Sequence, residues 1–292
     1  MILLKVLKRI VDHPLNKKRK LNAIKRFVKW QINTILNPYP VIYPYAEKSK
    51  FIIWKGLTGA TGNLYCGLLE FEDMSFLLHF LRRSDTFVDI GANVGSYTIL
   101  GANEVGAHTI SIEPIPRTFE ILEENIVINK VQNKVKSLNI GLGSKKGQLK
   151  FTKSNDTTNH VATKNNQDLI DVPVDLFDNI IELKNPTLIK IDVEGFETEV
   201  LNGMSNALIN DNLRAIIIEL NGSGKRYGYD ERKIHNKLLS HQFIPYRYFP
   251  FERKLNKLEN YGTHNTIYIR DIEFVRNRII TAKRFKILEQ EF

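Results

Sequence analysis

The chain contains a single cysteine, Cys66, among its 292 residues. An internal disulfide and a cysteine-based metal cluster are therefore excluded, and a reducing compartment is compatible with the composition. The sequence contains no run of 18 apolar residues, which argues against a membrane-spanning helix. The apolar run at the start of the sequence is interrupted by a charged residue at Lys5, which is too early for a secretory signal. We therefore expect a cytoplasmic protein.

Several ligand-binding motifs are missing as well. The sequence has no G-x-G-x-x-G and no suitably placed Tyr-x-x-x-Lys pair, which an NAD(P)-dependent oxidoreductase would need. Its histidines show neither H-x-x-x-H nor H-E-x-x-H spacing, so a histidine-based metal site is not indicated. These absences leave an oxidoreductase as an alternative supported only by similarity of fold.

Positive charge is concentrated at one end. Residues 1–50 contain 12 Lys or Arg and 2 acids, which accounts for the whole net charge of +10. Apolar residues recur at helical spacing in 2–11 and 21–36, so we expect a basic extension of two amphipathic helices, with a linker over 37–50. Three roles stay open: packing on the main domain, peripheral contact with an anionic membrane at its inner face, or, least favoured, binding to nucleic acid.

The sequence pattern of the remaining residues predicts an α/β protein. A Gly/Thr-rich turn suggests a hairpin within 51–68, and a helix follows, so 51–85 would lead into the core. Strand and helix patterns then alternate over 86–270, which predicts a mostly parallel sheet covered by helices on both faces. Gln148–Thr152 reads as an added strand, 153–170 as a lid or substrate loop, and 271–292 as a helical tail.

The stretch Phe87–Gly95, F-V-D-I-G-A-N-V-G, is a short apolar strand that runs into a glycine turn. The acid before the first glycine suits a cofactor that carries an ammonium group and no phosphate, such as S-adenosylmethionine. A second acid, 24 residues after Asp89, ends the next strand, where it can accept hydrogen bonds from ribose hydroxyls or cap the following helix. The candidate cofactor-binding residues are Asp89, Gly91, Asn93, Gly95 and Glu113.

A second cluster of charge follows the fourth predicted strand, in K-I-D-V-E-G-F-E over 190–197. Lys190 and Asp192 share one strand face, where burial without a function would be costly. Asp192 or Glu194 could act as general base, and a divalent ion held by carboxylates is a further option, although we assign no metal. A salt-bridged helix N-terminus is the structural alternative. The candidate catalytic residues are Asp192, Glu194, Lys190 and Glu219.

These segments, in this order, resemble the FkbM-type S-adenosylmethionine-dependent methyltransferases. The resemblance covers roughly residues 70–270 and is carried by V-D-I-G-A-N-V-G from Val88, E-P-I-P from Glu113, and K-I-D-V-E-G-F-E from Lys190. It implies a Rossmann-like class I fold with a mostly parallel seven-stranded sheet. It also implies S-adenosylmethionine as cofactor and methyl transfer to oxygen.

The acceptor implied by the resemblance is a small molecule or glycan, often a hydroxyl of a sugar or secondary metabolite. A nucleic-acid methyltransferase is the alternative that the basic extension suggests. It is not favoured, because the loop after the fourth strand reads D-V-E-G rather than N-P-P-Y, and Cys66 lies far from it in sequence. The sequence leaves the oligomeric state open.

Overall fold

The computed structural model describes residues 2–154 and 158–292. The α-helices of this part of the chain are α1 Ile2–Asp12, α2 Lys20–Leu36, α3 Thr58–Cys66, α4 Phe71–Phe80, α5 Ser96–Ile99, α6 Pro116–Ile128, α7 Glu197–Asn202, α8 Ser205–Ile209, α9 Glu231–Ser240 and α10 Ile272–Thr281. The strands are β1 Val41–Pro44, β2 Lys50–Ile53, β3 Thr86–Ile90, β4 His108–Ile112, β5 Val135–Leu138, β6 Gly141–Leu142, β7 Gly147–Thr152, β8 Leu169–Asp175, β9 Leu188–Ile191, β10 Ala215–Glu219, β11 Ile244–Phe249, β12 Lys254–Lys257, β13 Asn265–Ile269, β14 Lys286–Ile287 and β15 Gln290–Glu291.

The main sheet has the strand order β12-β11-β13-β10-β9-β3-β4-β5. Strands β5, β4, β3, β9 and β10 pair in parallel, and β13 lies antiparallel between β10 and β11. The predicted α/β class and mostly parallel sheet are confirmed. An eighth strand, β12, extends the expected seven at one edge, where Leu255 is buried while Lys254 and Lys257 are exposed. Lysines are a common feature of such free edges.

Alternation along the central strands produces a core on each face of the sheet. Phe87 and Leu188 belong to one apolar cluster, whereas their neighbours Val88 and Ile189 belong to the other. Successive side chains of a strand point to opposite faces, so continuous apolar runs are expected where helices cover both sides. Polar groups are then expected mainly toward the strand ends.

A small second sheet flanks the main one, in the order β6-β8-β7. The strand expected at Gln148–Thr152 is present within β7, but it pairs with β8 rather than with the main sheet. Beyond β7, the amide of Ala162 donates to the carbonyl of Lys150 at 2.7 Å. The predicted loop over 153–170 includes residues 155–157, which lie outside the described part of the chain, so its role as a lid stays a prediction.

The hairpin predicted within 51–68 is wrong. Residues 50–53 form β2, which pairs with β1 from the predicted linker, and residues 58–66 form α3. The glycines and threonines of α3 are poor helix formers, but packing overrides this weak local preference. Ala60, Leu64 and Cys66 are buried, and the Asn63 side chain donates to the Ser96 hydroxyl at 3.0 Å.

The C-terminal segment is only partly helical. After α10, strands β14 and β15 form a short antiparallel pair, and Phe285 and Phe292 exchange backbone hydrogen bonds of 3.1 Å. The tail predicted as helical over 271–292 is therefore wrong in its second half. Both phenylalanine rings are buried, which explains why the chain turns back at this point.

Helices α1 and α2 occupy much of the basic N-terminal segment, and the inner face of α2 is buried through Ala23, Phe27 and Trp30. Within the described residues, no helix has both the length and the apolar character needed to cross a bilayer. The division of the chain into an extension, a lead-in and a catalytic domain stays a prediction.

Candidate active site

A cavity of about 510 Å³ opens at the carboxyl ends of the central parallel strands. Sheets of this type bind ligands at this edge, where the strand order reverses. Seven of the nine residues predicted from the sequence line the cavity, and they come from four different strand ends: Gly91, Asn93, Glu113, Lys190, Asp192, Glu194 and Glu219. Asp89 and Gly95, the other two, lie behind this lining.

Gly91 makes the turn after β3 possible. Its φ is +76°, and a Cβ at this position would lie 1.8 Å from the carbonyl oxygen of Asp192. Its amide donates to the carbonyl of Ile112 at 3.0 Å. The turn therefore brings the end of β3 against the ends of both neighbouring strands, and only a residue without a side chain fits there.

Asn93 continues this turn with an unusual backbone conformation. Its φ is +50°, a region that asparagine tolerates better than most residues. The Oδ1 of its side chain accepts a 2.7 Å hydrogen bond from the amide of Val94, which stabilises the turn locally.

Asp89 and Gly95 support the turn from behind. Asp89 is almost fully buried, and its carboxylate accepts a 2.7 Å hydrogen bond from the Thr98 hydroxyl. Gly95 has a φ of +96°, and a Cβ there would lie 2.7 Å from Cδ1 of Leu122. Both residues therefore fix the position of the turn, and their predicted contact with a cofactor stays a prediction.

Glu113 closes the other side of the turn. One carboxylate oxygen accepts from the amide of Asn93 at 2.9 Å and the other from the amide of Ile115 at 3.0 Å. Ile115 is the N-cap residue of α6, so the carboxylate also lies at the start of that helix, as the alternative interpretation expected. Burial raises the pKa of Glu113 to about 7, although the two amide donors oppose this rise.

Lys190 is the buried cation of the site. Its ammonium lies 2.9 Å from Oδ2 of Asp192 and 4.8 Å from the ring centre of Tyr97. Burial alone would lower the pKa of Lys190, but the carboxylates of Asp192, Asp89 and Glu70 outweigh it and raise the pKa above its usual value. The side chain therefore stays charged and offsets the repulsion among its acidic neighbours.

Three carboxylates gather beside this pair. Asp192, Glu194 and Glu219 each place one oxygen within 4.8 Å of the others. Burial and the charge of Asp192 raise the pKa of Glu194 to about 7, and burial together with both neighbours raises the pKa of Glu219 to about 9. At neutral pH, Glu219 is therefore mostly protonated, whereas Glu194 changes its protonation state near that pH. The backbone of Glu194 has a φ of +54°.

Glu70 was missed by the sequence reasoning. It lines the cavity from the start of α4 and accepts a 3.0 Å hydrogen bond from the Asn265 side chain. Burial raises its pKa, which the charge of Lys190 partly opposes. Nothing in the local sequence marks Glu70 as different from its acidic neighbours Glu72 and Asp73, because only the fold brings it to the strand ends.

The wall opposite the strand ends was missed as well. It is formed by α3 together with Val6, Arg9 and Ile10 of α1. The basic N-terminal segment thus contributes directly to the cavity, which its separation in sequence did not suggest. Phe151, Asn159 and Val161 of the small sheet and the segment after it also line the cavity.

The charge of the lining distinguishes between possible cofactors. Five carboxyl groups and two basic side chains line the cavity within the described residues, so acidic groups outnumber basic ones, although Glu219 is mostly protonated at neutral pH. S-adenosylmethionine carries two positive groups, an ammonium and a sulfonium, and one carboxylate. Its net positive charge suits a lining in which acidic groups outnumber basic ones. The pyrophosphate of a dinucleotide would find only two basic side chains among the described lining residues, Arg9 and Lys190, and Lys190 is already paired with Asp192. The turn at Gly91 and the buried carboxylate of Glu113 also suit a nucleoside.

Residues 89–245 match the family model described as the methyltransferase FkbM domain. The chain belongs to this family. It is an S-adenosylmethionine-dependent methyltransferase, in agreement with the charge of the cavity. The resemblance identified from the sequence is therefore confirmed, and neither an oxidoreductase nor a nucleic-acid methyltransferase is favoured.

The chain is also similar to two named methyltransferases. The chain is 31% identical over 174 residues to the hexuronic acid methyltransferase AglP of Haloferax volcanii. This alignment covers 59% of this chain and 68% of the relative. The chain is also 30% identical over 149 residues to methyltransferase 1 of Beauveria bassiana, in an alignment that covers 42% of this chain and 59% of the relative. Among solved structures, M. capricolum TrmK in complex with S-adenosylhomocysteine aligns over 69% of this chain and 67% of its own, with a TM-score of 0.39 and 12% identity.

Proposed function

We propose that this methyltransferase transfers a methyl group to a hydroxyl oxygen of a sugar, a glycan or a secondary metabolite. The observation that carries the proposal is the group of three carboxylates within 4.8 Å of one another at the ends of β9 and β10. A hydroxyl must lose its proton as its oxygen becomes methylated, so a general base is required, and a carboxylate with a pKa near neutrality suits that task.

Glu194 is our choice for the base. Its pKa of about 7 leaves a substantial fraction ionised at neutral pH, whereas the pKa of Glu219, about 9, favours the protonated form. The Oδ2 of Asp192 is already engaged by the ammonium of Lys190 at 2.9 Å, so this oxygen is less available to an acceptor hydroxyl. We propose that Lys190 and Asp192 position the loop and that Glu219 donates a hydrogen bond to the acceptor.

When bound, S-adenosylmethionine supplies an electrophilic methyl group, whose bond to sulfur breaks as the bond to the acceptor oxygen forms. Glu194 takes the proton from that oxygen. The turn containing Gly91 and Asn93, with Glu113 beside it and Asp89 and Gly95 behind it, is proposed to hold the cofactor. The acidic lining as a whole would attract the cationic end of the cofactor.

The choice of acceptor class rests on one relative. The name of AglP states that it methylates a hexuronic acid, and this chain aligns with 68% of that protein. Arg9 adds a cation to the wall opposite the strand ends. An acidic sugar is therefore a sensible first acceptor to test.

Methyl-labelled cofactor offered with a panel of sugars, uronic acids and phenolic metabolites tests the proposal. We expect label in an ether, which survives mild alkali, whereas a methyl ester would be hydrolysed. The Glu194→Gln variant should lose transfer while it keeps cofactor binding. Label found only in alkali-labile products, or on nitrogen, would refute hydroxyl methylation.

A further inference from the structure

An unpartnered aliphatic stripe runs along the outer face of α2. Five residues spaced three or four apart form it, and all are exposed to solvent: Leu21, Ile24, Val28, Ile32 and Ile35. The exposed fractions reach 50% for Ile32 and 79% for Ile35. On a helix this spacing places the five side chains along one side, so they form a continuous apolar surface rather than scattered contacts.

The inner face of the same helix is already used. Ala23, Phe27 and Trp30 are buried against the rest of the protein. Arg26 donates to the Tyr65 carbonyl at 3.0 Å, and the Gln31 amide donates to the Tyr65 hydroxyl at 3.0 Å. The helix is thus fixed in place by its inner contacts, whereas the aliphatic stripe lies on the exposed side.

Lysines border the stripe. Lys25 and Lys29 lie beside it on α2 and are exposed, and neither forms an ion pair within the described part of the chain. The basic run 17–20 leads into the helix, whose first residue is Lys20. From residue 2 to residue 36 the sequence contains ten Lys or Arg and a single acid, Asp12. An apolar stripe with a basic border is the pattern of helices that lie in the interface of anionic membranes.

We propose that α2 docks this segment onto an anionic lipid bilayer, with the aliphatic stripe in the acyl boundary and the lysines at the phosphate headgroups. Charge complementarity favours this occupant. A second copy of the chain would place one basic segment against another, and like charges would oppose the contact. Nucleic acid would satisfy the lysines but leave the five aliphatic side chains in water.

The docking surface and the active site belong to one packed unit. Helix α1 packs on α2, and its Leu7 and Ile10 join Ala23 and Phe27 in one apolar cluster. Ile10 also lines the cavity, together with Val6 and Arg9. Docking through α2 would therefore keep the cavity near the bilayer, where lipid-borne or surface-bound acceptors are concentrated.

Flotation of the full chain with lipid vesicles tests the proposal. Vesicles of phosphatidylcholine with 30% phosphatidylglycerol should carry the protein upward at low salt, and pure phosphatidylcholine should not. The Val28→Ser/Ile32→Ser variant should bind about tenfold more weakly or worse, because two apolar side chains are lost from the buried face. Lys25→Gln/Lys29→Gln should weaken binding roughly 30-fold, and 0.5 M salt should have a similar effect.

Matched controls separate docking from general changes in surface character. Ile181→Ser/Ile209→Ser removes two exposed aliphatic residues elsewhere, and Lys254→Gln/Lys257→Gln removes two exposed lysines from β12. Both controls should float like the wild type, and all variants should keep the wild-type melting temperature. The proposal is overturned if the wild type does not float, or if stripe and control variants float equally. A dimer in light scattering that Val28→Ser/Ile32→Ser converts to a monomer would assign the stripe to a second copy instead.

Discussion

The ammonium of Lys190 lies 2.9 Å from the carboxylate of Asp192, at the point where β9 ends and the loop 192–196 begins. The lysine side chain is only 4% exposed, so the pair is effectively buried on the cationic side. Asp89 and Glu70 share the same cation, because the charge of Lys190 lowers the pKa of both carboxyls against the effect of burial. One lysine thus makes it possible for several acids to remain near the strand ends.

Replacement of this lysine should be costly. We expect Lys190→Met to lower the free energy of unfolding by about 3–5 kcal/mol, since it leaves buried carboxylates without their cation. Lys146→Met is a matched control: its ammonium also lies 3.1 Å from an aspartate, Asp175, but the lysine is 76% exposed. This surface pair should contribute no more than about 1 kcal/mol. Urea denaturation of both variants measures the difference.

The loss of unfolding free energy in Lys190→Met should depend on pH. The folded-state pKa values of Asp89 and Glu70 are already raised by burial, and removal of the lysine raises them further. At pH 3 these carboxyls are largely protonated in both the folded and the unfolded protein, so the variant should differ little from the wild type. As the pH rises toward 8, both carboxyls ionise readily in the unfolded chain, but burial opposes their ionisation in the folded variant. The loss in free energy of unfolding relative to the wild type should therefore grow with pH. An equal deficit at pH 3 and pH 8 would contradict the shared-cation account.

Gly91 should tolerate no side chain. A Cβ there would lie 1.8 Å from the Asp192 carbonyl oxygen, and the φ of +76° disfavours other residues. We expect Gly91→Ala to destabilise the protein by about 2–4 kcal/mol and to abolish cofactor binding. Gly147→Ala serves as control, because nothing lies within 4 Å of its added Cβ and its φ is not positive. Equal melting temperatures for the two variants would show that the turn is not tightly held.

Glu113 should contribute to binding of the nucleoside. Its carboxylate is buried and already accepts two backbone hydrogen bonds, and the residue lines the cavity. We expect Glu113→Ala to weaken cofactor binding by about 1.5–3 kcal/mol, or 10- to 100-fold, which calorimetry can measure. Glu124→Ala, on the exposed side of α6, should bind like the wild type. Comparable affinity in both variants would argue against a ribose contact.

Much of this site could be predicted from the sequence because parallel sheets collect strand ends at one edge. Asp89, Glu113 and the segment 190–197 each follow a recognisable apolar strand, so their proximity follows from topology. Glu70 and the wall contributed by α1 could not be found in this way. They lie on helices, and their approach to the cavity depends on tertiary packing, which has no periodic signal in a single sequence.

Local sequence preference also led to a wrong prediction of secondary structure. The turn-like residues at 58–62 suggested a hairpin, yet burial of Ala60 and Leu64 stabilises a helix there. The order and pairing of β1 and β2, which fall partly in the predicted linker, were missed for the related reason that four-residue strands give little alternation to detect. Short elements are decided by the packing around them.

The most direct test of the account is the pH dependence of methyl transfer, with Glu194 present and absent. Because the pKa of Glu194 is about 7, its carboxylate forms as the pH rises through neutrality, so kcat should rise along that range and level off above it. Glu194→Gln should reduce kcat by about 10²- to 10⁴-fold, remove the step near pH 7, and leave the affinity for S-adenosylmethionine unchanged. The exposed Glu182→Gln should retain both the rate and the step. A Glu194→Gln enzyme that keeps the wild-type rate and pH profile would contradict the central claim.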